Sequence, residues 1–106
     1  MAVTHLLDSE FPEFIAKNIA IIDFWAEWCA PCRAFAPVFE QVAEKYPNAS
    51  FAKFEISDTN KATPVKYGVR SIPATIAFRD GEILEMRTGL MDEITFENWI
   101  KELLSK

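Results

Sequence analysis

Residues 19–26, IAIIDFWA, are apolar at every position except Asp23, and this run constrains the fold more than any other feature of the chain. A strand with one face in water alternates apolar and polar residues, whereas a nearly continuous apolar run is typical of a strand that is buried. We therefore predict that residues 19–26 form a buried central strand.

Apolar residues at helical spacing predict four helices in the rest of the chain. The first covers residues 8–17 with Asp8 as its N-cap, and the second and longest covers residues 31–46. A short third helix is predicted at residues 60–67, and a last amphipathic helix follows Asp92, which caps it.

Four further segments have the composition or alternation of strands, namely residues 3–7, 51–56, 75–78 and 83–87. The predicted order is therefore βαβαβαββα, an α/β fold. Helical crossovers between successive strands imply parallel pairing at the centre of the sheet. The dipeptide Asp80-Gly81 indicates a hairpin that adds an antiparallel edge.

Composition and charge argue against several classes of function. The chain has 106 residues, half of them apolar, which is enough for one domain over residues 1–106 with a core of its own. A net charge of −5 without a basic cluster argues against nucleic acid as a partner. No apolar segment reaches the about 20 residues that cross a membrane, and no secretory signal is evident. We expect a soluble, intracellular protein.

Both cysteines of the chain, Cys29 and Cys32, follow the central strand directly in the sequence WCAPC. Residues at i and i+3 on one helical turn stand about 5–6 Å apart, a separation that a disulfide accepts. The N-terminus of the helix presents unpaired N–H groups and a positive dipole to Cys29, which favour its thiolate. A thiolate with a second thiol one turn away is typical of thiol–disulfide exchange.

Two other interpretations of the cysteine pair stay open. A zinc site needs about four ligands. The chain offers only His5 besides the cysteines, so a metal ion or cluster would have to be shared between two chains. The second alternative is a pair of buried thiols without a redox role. We expect no metal, and we interpret His5 as a surface residue of an edge strand.

Asp23 is the one charged residue in the central strand. Alternation places it on the same face as Ile21 and Trp25, where burial raises the pKa of its carboxyl. It is either a hydrogen-bonded polar residue of the core or a proton carrier for the nearby cysteine pair. Lys53 on the next strand is its candidate partner, unless that lysine simply faces solvent. We interpret Trp25 and Trp99 as core residues.

Taken together, these segments resemble the thioredoxin family over essentially the whole chain. IIDFWAEWCAPC is similar to the family's active-site segment, KYGVRSIPA to its second active-site loop, and the hairpin with Gly89 and a final helix to its C-terminal end. The chain departs from the family at Ala30, which replaces the usual glycine, at Ala74, which replaces the usual threonine, and at Ser57, which replaces a common aspartate.

The resemblance implies the thioredoxin fold, a central five-stranded mixed sheet flanked by four helices. Its strands would lie in the order first, third, second, fourth, fifth, with a cis Ile72–Pro73 peptide facing the disulfide. It further implies a general protein disulfide reductase that cycles between a Cys29/Cys32 dithiol and a disulfide. Asp23 and Lys53 would assist the two cysteines as catalytic residues.

The resemblance also implies a flat apolar surface for substrate, here called the substrate rim. Its expected members are Trp28, Ala30, Pro31, Ser71, Ile72, Pro73, Gly89 and Leu90. Expected partners are disulfide-containing protein substrates and a thioredoxin reductase, which would hold the NADPH and FAD, so that this chain binds no cofactor. We expect a cytoplasmic monomer. Alternatives are an oxidase or isomerase, and a non-catalytic binding subunit.

Overall fold

The computed structural model describes residues 2–106, which form a five-stranded mixed sheet with helices on both faces. In chain order the elements are β1 (Val3–Leu6), a 3-10 turn (Asp8–Glu10), α1 (Phe11–Ile15), β2 (Ile19–Trp25), α2 (Ala30–Lys45), β3 (Ser50–Glu55), α3 (Ala62–Lys66), β4 (Ala74–Arg79), β5 (Glu82–Thr88) and α4 (Glu93–Leu104). The strand order is β1-β3-β2-β4-β5. The predicted fold class, element order and strand order are confirmed. Within residues 2–106, no helix is both long and apolar enough to cross a membrane.

Strand β2 lies at the centre, parallel to β3 on one side and antiparallel to β4 on the other. The predicted parallel pairing at the centre is therefore confirmed for β2 with β3 and wrong for β2 with β4. The connection that contains α3 does not carry the chain back along the sheet, although α1, which has the same five-residue length, lies in the connection between the parallel strands β1 and β2. The chain consequently enters β4 at the end of the sheet where β3 finished.

The hairpin between β4 and β5 forms where the sequence predicts it. Asp80 and Gly81 have φ angles of 52° and 88°, the left-handed values that a two-residue hairpin turn requires at both central positions. β5 pairs antiparallel with β4, which confirms the predicted antiparallel edge.

Side chains alternating along β2 enter two aromatic cores, one on each face of the sheet. Ile19 and Ile21 pack against α2 and α4, whereas Ile22 and Phe24 pack on the α1 side. Fully burying one such side chain stabilises the fold by about 1.5–3 kcal/mol. Trp99 is 1% exposed and belongs to the first core, as predicted. The central strand is therefore fixed by packing on both faces.

Asp8 does not cap the helix that follows it, so that prediction is wrong. The chain makes a 3-10 turn at residues 8–10 before α1 begins, and Glu10 accepts the backbone N–H of Leu7 at 2.8 Å. Asp8 instead accepts hydrogen bonds from the backbone N–H groups of Ala62 at 3.1 Å and Thr63 at 2.8 Å. Asp8 therefore caps the N-terminus of α3, more than fifty residues away in sequence.

We predict that Asp8→Ala lowers the free energy of unfolding at pH 7 by about 1 kcal/mol, the usual cost of losing an N-cap. Partial burial acts to raise the pKa of Asp8, but the hydrogen bonds from Thr63 and Ala62 outweigh it and leave that pKa below its usual value. The stabilisation is therefore present above the unfolded pKa and is lost as the pH falls through the folded pKa.

Denaturant unfolding of the parent, Asp8→Ala and Asp8→Asn at pH 7 and pH 3 measures this effect. Asp8→Asn keeps one oxygen acceptor and should fall between the other two at pH 7. A cost for Asp8→Ala that is as large at pH 3 as at pH 7 contradicts the cap assignment.

Candidate active site

Cys29 and Cys32 form a disulfide at the start of α2, with their Cα atoms 5.3 Å apart. Cys29 is the N-cap residue of the helix, and its Sγ accepts a hydrogen bond from the backbone N–H of Cys32 at 3.2 Å. Ala30 and Pro31 occupy the first helical turn, where the missing N–H of proline has no intrahelical partner to lose. A negative charge that develops on Cys29 therefore meets a backbone donor and the positive end of the helix dipole.

The loop before β4 lies against this disulfide. The backbone carbonyl oxygen of Ile72 is 3.8 Å from the Sγ of Cys29, and the Ile72–Pro73 peptide is cis, as the resemblance implies. Gly89 donates its backbone N–H to the carbonyl oxygen of Pro73 at 2.8 Å, with a left-handed φ of 94°. The end of β5 thus holds this loop next to the cysteine pair.

Most members of the predicted substrate rim are exposed. Trp28 is 77% exposed and Leu90 is 53% exposed. Ile72 is half-buried and packs against the two cysteines. The remaining exposed members are Ala30, Pro31, Ser71 and Gly89. Pro73 is buried, because its carbonyl is bonded to Gly89 and the buried strand β4 follows directly, so it lies beneath the rim and offers no exposed surface.

The two cysteine residues differ slightly in exposure. Cys29 is 5% exposed and Cys32 is 1% exposed, so Cys29 is the outer member of the pair. Trp25, which we interpreted as a core residue, is only half-buried and packs against the cysteines. Trp25 therefore lines the candidate site.

Asp23 is fully buried, as predicted. Burial raises the pKa of its carboxyl to about 7, although the positive charge of Lys53 acts to lower it. Neither carboxyl oxygen has a hydrogen-bond partner among residues 2–106. Asp23 therefore differs from a polar core residue whose hydrogen bonds are satisfied, and its carboxyl changes charge near neutral pH.

Lys53 lies directly beside Asp23 in the register of β3 and β2. The alternative of a solvent-facing lysine is wrong, because Lys53 is only 5% exposed. Its Nζ is 4.6 Å from the centre of the Trp25 ring and 3.8 Å from the Oε2 of Glu40 on α2. Sequence reasoning missed Glu40, since only the packing of α2 over β3 brings the two residues together.

Residues 2–106 contain no cluster of three or more His, Cys, Asp or Glu side chains that would hold a metal ion. His5 lies exposed on the edge strand β1, away from the cysteine pair. The part of the chain that the structure describes therefore offers the cysteines no metal ligands.

Comparisons with known proteins agree with this geometry. The Thioredoxin family model matches residues 2–102. The chain is 39% identical over 107 residues to thioredoxins of Staphylococcus epidermidis and Staphylococcus haemolyticus, in alignments that cover 100% of this chain and 98% of each relative. It is also similar to the solved structure of a mutant thioredoxin from Halobacterium salinarum NRC-1, with a TM-score of 0.86 and 33% identity over 94% of this chain and 88% of that one.

We predict that Asp23→Ala stabilises the oxidised protein at pH 7 more than at pH 4. Below the unfolded pKa of about 4 both states are protonated and burial of the carboxyl costs no ionisation energy. Between that value and the folded pKa of about 7 the parent loses stability as the pH rises. The interval between these two pKa values corresponds to a loss of about 4 kcal/mol in the parent's free energy of unfolding, and the variant does not show this loss.

Denaturant unfolding of parent and variant across pH 4 to 8 provides the measurement. The loss of packing in the variant changes the free energy of unfolding equally at every pH. The pH dependence of the difference between parent and variant therefore reports the ionisation of Asp23 alone. Asp58→Ala is the control, because it removes a carboxylate whose side chain is fully exposed and is not desolvated on folding. If the free energy of unfolding changes with pH in the same way for the parent and Asp23→Ala, the pKa of Asp23 is not raised.

Proposed function

The chain belongs to the thioredoxin family, and we propose that it is a general protein disulfide reductase supplied with electrons by a thioredoxin reductase. Membership of this family together with the cysteine pair makes it a thiol–disulfide oxidoreductase. The observation that carries the finer proposal is the Cys29–Cys32 disulfide at the N-terminus of α2, with the loop at Ile72 against its outer sulfur.

The reaction begins from the dithiol. The thiolate of Cys29 attacks one sulfur of a substrate disulfide, a new sulfur–sulfur bond forms, and the other substrate sulfur leaves as a thiolate. Cys29 has this role because it is the outer sulfur and because the N–H of Cys32 and the helix dipole stabilise its charge.

In the second step Cys32 resolves the mixed disulfide. Cys32 loses its proton and attacks Cys29, the mixed disulfide breaks, and the second substrate sulfur leaves as a thiolate. Two electrons have then passed from the cysteine pair to the substrate. We assign the proton of Cys32 to the carboxylate of Asp23, reached through water. Its raised pKa supports this assignment, and the charge of Lys53 maintains a carboxylate fraction at neutral pH.

The substrate rim docks the substrate chain. The exposed apolar area of Trp28 and Leu90 supports this role, as does the position of Ile72 beside the outer sulfur. An extended substrate segment would pair with the backbone of Ile72 by strand addition, which gives affinity with little demand on its sequence.

We further propose that the chain acts as a monomer and as one domain over residues 1–106. Alignment of the whole chain with curated thioredoxins supports the single domain. The cysteine pair must be reduced to the dithiol again after each turnover, which fits a reducing compartment. We propose that this compartment is the cytoplasm. There the chain would contribute to electron transport and to cell redox homeostasis.

The reduction potential, measured by equilibration with glutathione, tests the proposal. The reduction potential of a reductase should be about −270 mV, whereas that of an oxidase is about −120 mV because its reduced form is stabilised. A coupled assay in which a thioredoxin reductase oxidises NADPH should then show reduction of a protein disulfide. Binding of partner proteins that survives loss of both cysteines, without any turnover, would identify a non-catalytic subunit instead.

The division of roles between the cysteines gives a prediction. Cys29→Ser should abolish attack on substrate, because the remaining Cys32 is the less exposed of the two cysteines and is not the N-cap of the helix. Cys32→Ser should still attack but stop as a stable mixed disulfide, because no resolving thiol remains. Mass spectrometry of each variant after incubation with a disulfide protein detects the trapped species. Trapping by Cys29→Ser would reverse the assignment.

A second prediction concerns the two residues between the cysteines, Ala30 and Pro31. Pro31→His should raise the reduction potential by about 30 mV or more, because an imidazolium beside the pair stabilises the thiolate of the reduced form. Pro31→Gln removes the proline without adding a charge and is the matched control. Ala30→Gly should leave activity within a small factor of the parent. A potential for Pro31→His no higher than that of Pro31→Gln contradicts the electrostatic explanation.

A further inference from the structure

One row of residues crosses all five strands on the sheet face that packs against α2 and α4, and none of its members is apolar. In order from β1 to β5, the row consists of His5, Lys53, Asp23, Thr75 and Arg87. The proposed function uses Asp23 and Lys53. It assigns nothing to Thr75, which lies on the other side of Asp23.

Thr75 is fully buried, and among residues 2–106 its Oγ1 has no hydrogen-bond partner. Asp23, opposite it in the antiparallel ladder, is likewise fully buried with both oxygens unpartnered. Residues opposite each other in such a ladder hold their Cβ atoms about 4.5–5.5 Å apart, with both side chains on one face. Two complementary polar groups are thus buried side by side, and leaving both unpaired is costly.

The other donors near Asp23 are less well placed. Lys53 directs its Nζ to Glu40 and to the ring of Trp25. The Nε1 of Trp25 also has no partner within the described residues, but Trp25 stands two positions along the same strand, with its Cα about 7 Å from that of Asp23 by strand rise. A carboxylate can only accept hydrogen bonds, whereas a hydroxyl can donate one.

We propose that Thr75 is a positioning residue for proton transfer, whose Oγ1–H donates a hydrogen bond to the carboxylate of Asp23. The bond fixes the orientation of the carboxylate and favours its charged form. A rotation of the threonine side chain between staggered rotamers changes the direction of the hydroxyl without moving the backbone. This inference rests on the proposed role of Asp23 as the proton acceptor of Cys32.

Other titratable or charged groups lie on the strands and the helix around Asp23. They are Lys53 on β3, Glu40 and Cys32 on α2, Glu85 and Arg87 on β5, and His5 at the end of the row on β1. Arg87 lies over the ring of Trp99 of α4, and Glu85 accepts the Nε1–H of the same tryptophan. Thr75→Val changes none of these charges, and in the oxidised protein Cys32 does not titrate. A shift in the Asp23 titration then reports the hydroxyl.

The test is a titration of the Asp23 carboxyl carbon by NMR in the oxidised protein, with Asp23→Asn identifying its resonance. Thr75→Val has nearly the same shape as threonine and suits a strand, but it lacks the donor. It should raise the pKa of Asp23 by roughly half a unit or more. Thr75→Ser keeps the hydroxyl and should return the pKa to the parent value. A Thr75→Val titration that coincides with that of the parent overturns the proposal.

The rate of mixed-disulfide resolution between pH 5 and 9 supplies the functional readout. In Thr75→Val the pH of half-maximal rate should rise by the same amount as the pKa, and Thr75→Ser should restore it. An unchanged pH profile overturns the positioning role. If Asp23→Asn resolves at the parent rate, the proposed proton transfer fails. If Asp23→Asn is slow while Thr75→Val behaves like the parent, only the inference about Thr75 fails.

Discussion

Strand β2 forms hydrogen-bonded ladders with β3 on one side and β4 on the other, and these two ladders position the parts of the candidate site. At its C-terminal end β2 leads into the cysteine pair at the start of α2. Because β4 runs antiparallel to β2, the loop before β4 reaches the same end of the sheet and places Ile72 against Cys29. The site is thus held by a packed central strand, a rigid element that fixes the positions of the side chains built on it.

The same strand also carries a group whose burial opposes folding. Asp23 occupies a position where an apolar side chain would stabilise the protein, and burial instead raises the pKa of its carboxyl to about 7. The aromatic cores on the two faces of the sheet supply the stability that tolerates this cost. A carboxyl that changes charge near neutral pH can accept and release a proton, which an apolar residue cannot do.

Much of the fold follows from local patterns. The apolar run of β2, the helical spacing of α2 and the Asp80-Gly81 turn each predict the observed element, because their signals come from neighbouring residues. Two predictions failed where the answer depended on distant parts of the chain. Asp8 has the composition of a local N-cap, yet its partners are the N–H groups at the start of α3. The direction of β4 appears only in its antiparallel pairing with β2, a strand about fifty residues earlier in the chain.

The sequence by itself determined the α/β class, the position of the cysteine pair at a helix N-terminus, and the burial of Asp23, since spacing and alternation are properties of adjacent residues. The tertiary structure alone decided which residues surround that carboxyl. Glu40 reaches Lys53 only because α2 packs over β3, and Pro73 is buried where the backbone N–H of Gly89, just after β5, binds its carbonyl oxygen. Thr75 is level with Asp23 because the register of β2 and β4 places it there. Register and packing depend on the whole fold, so no local pattern in the sequence records them.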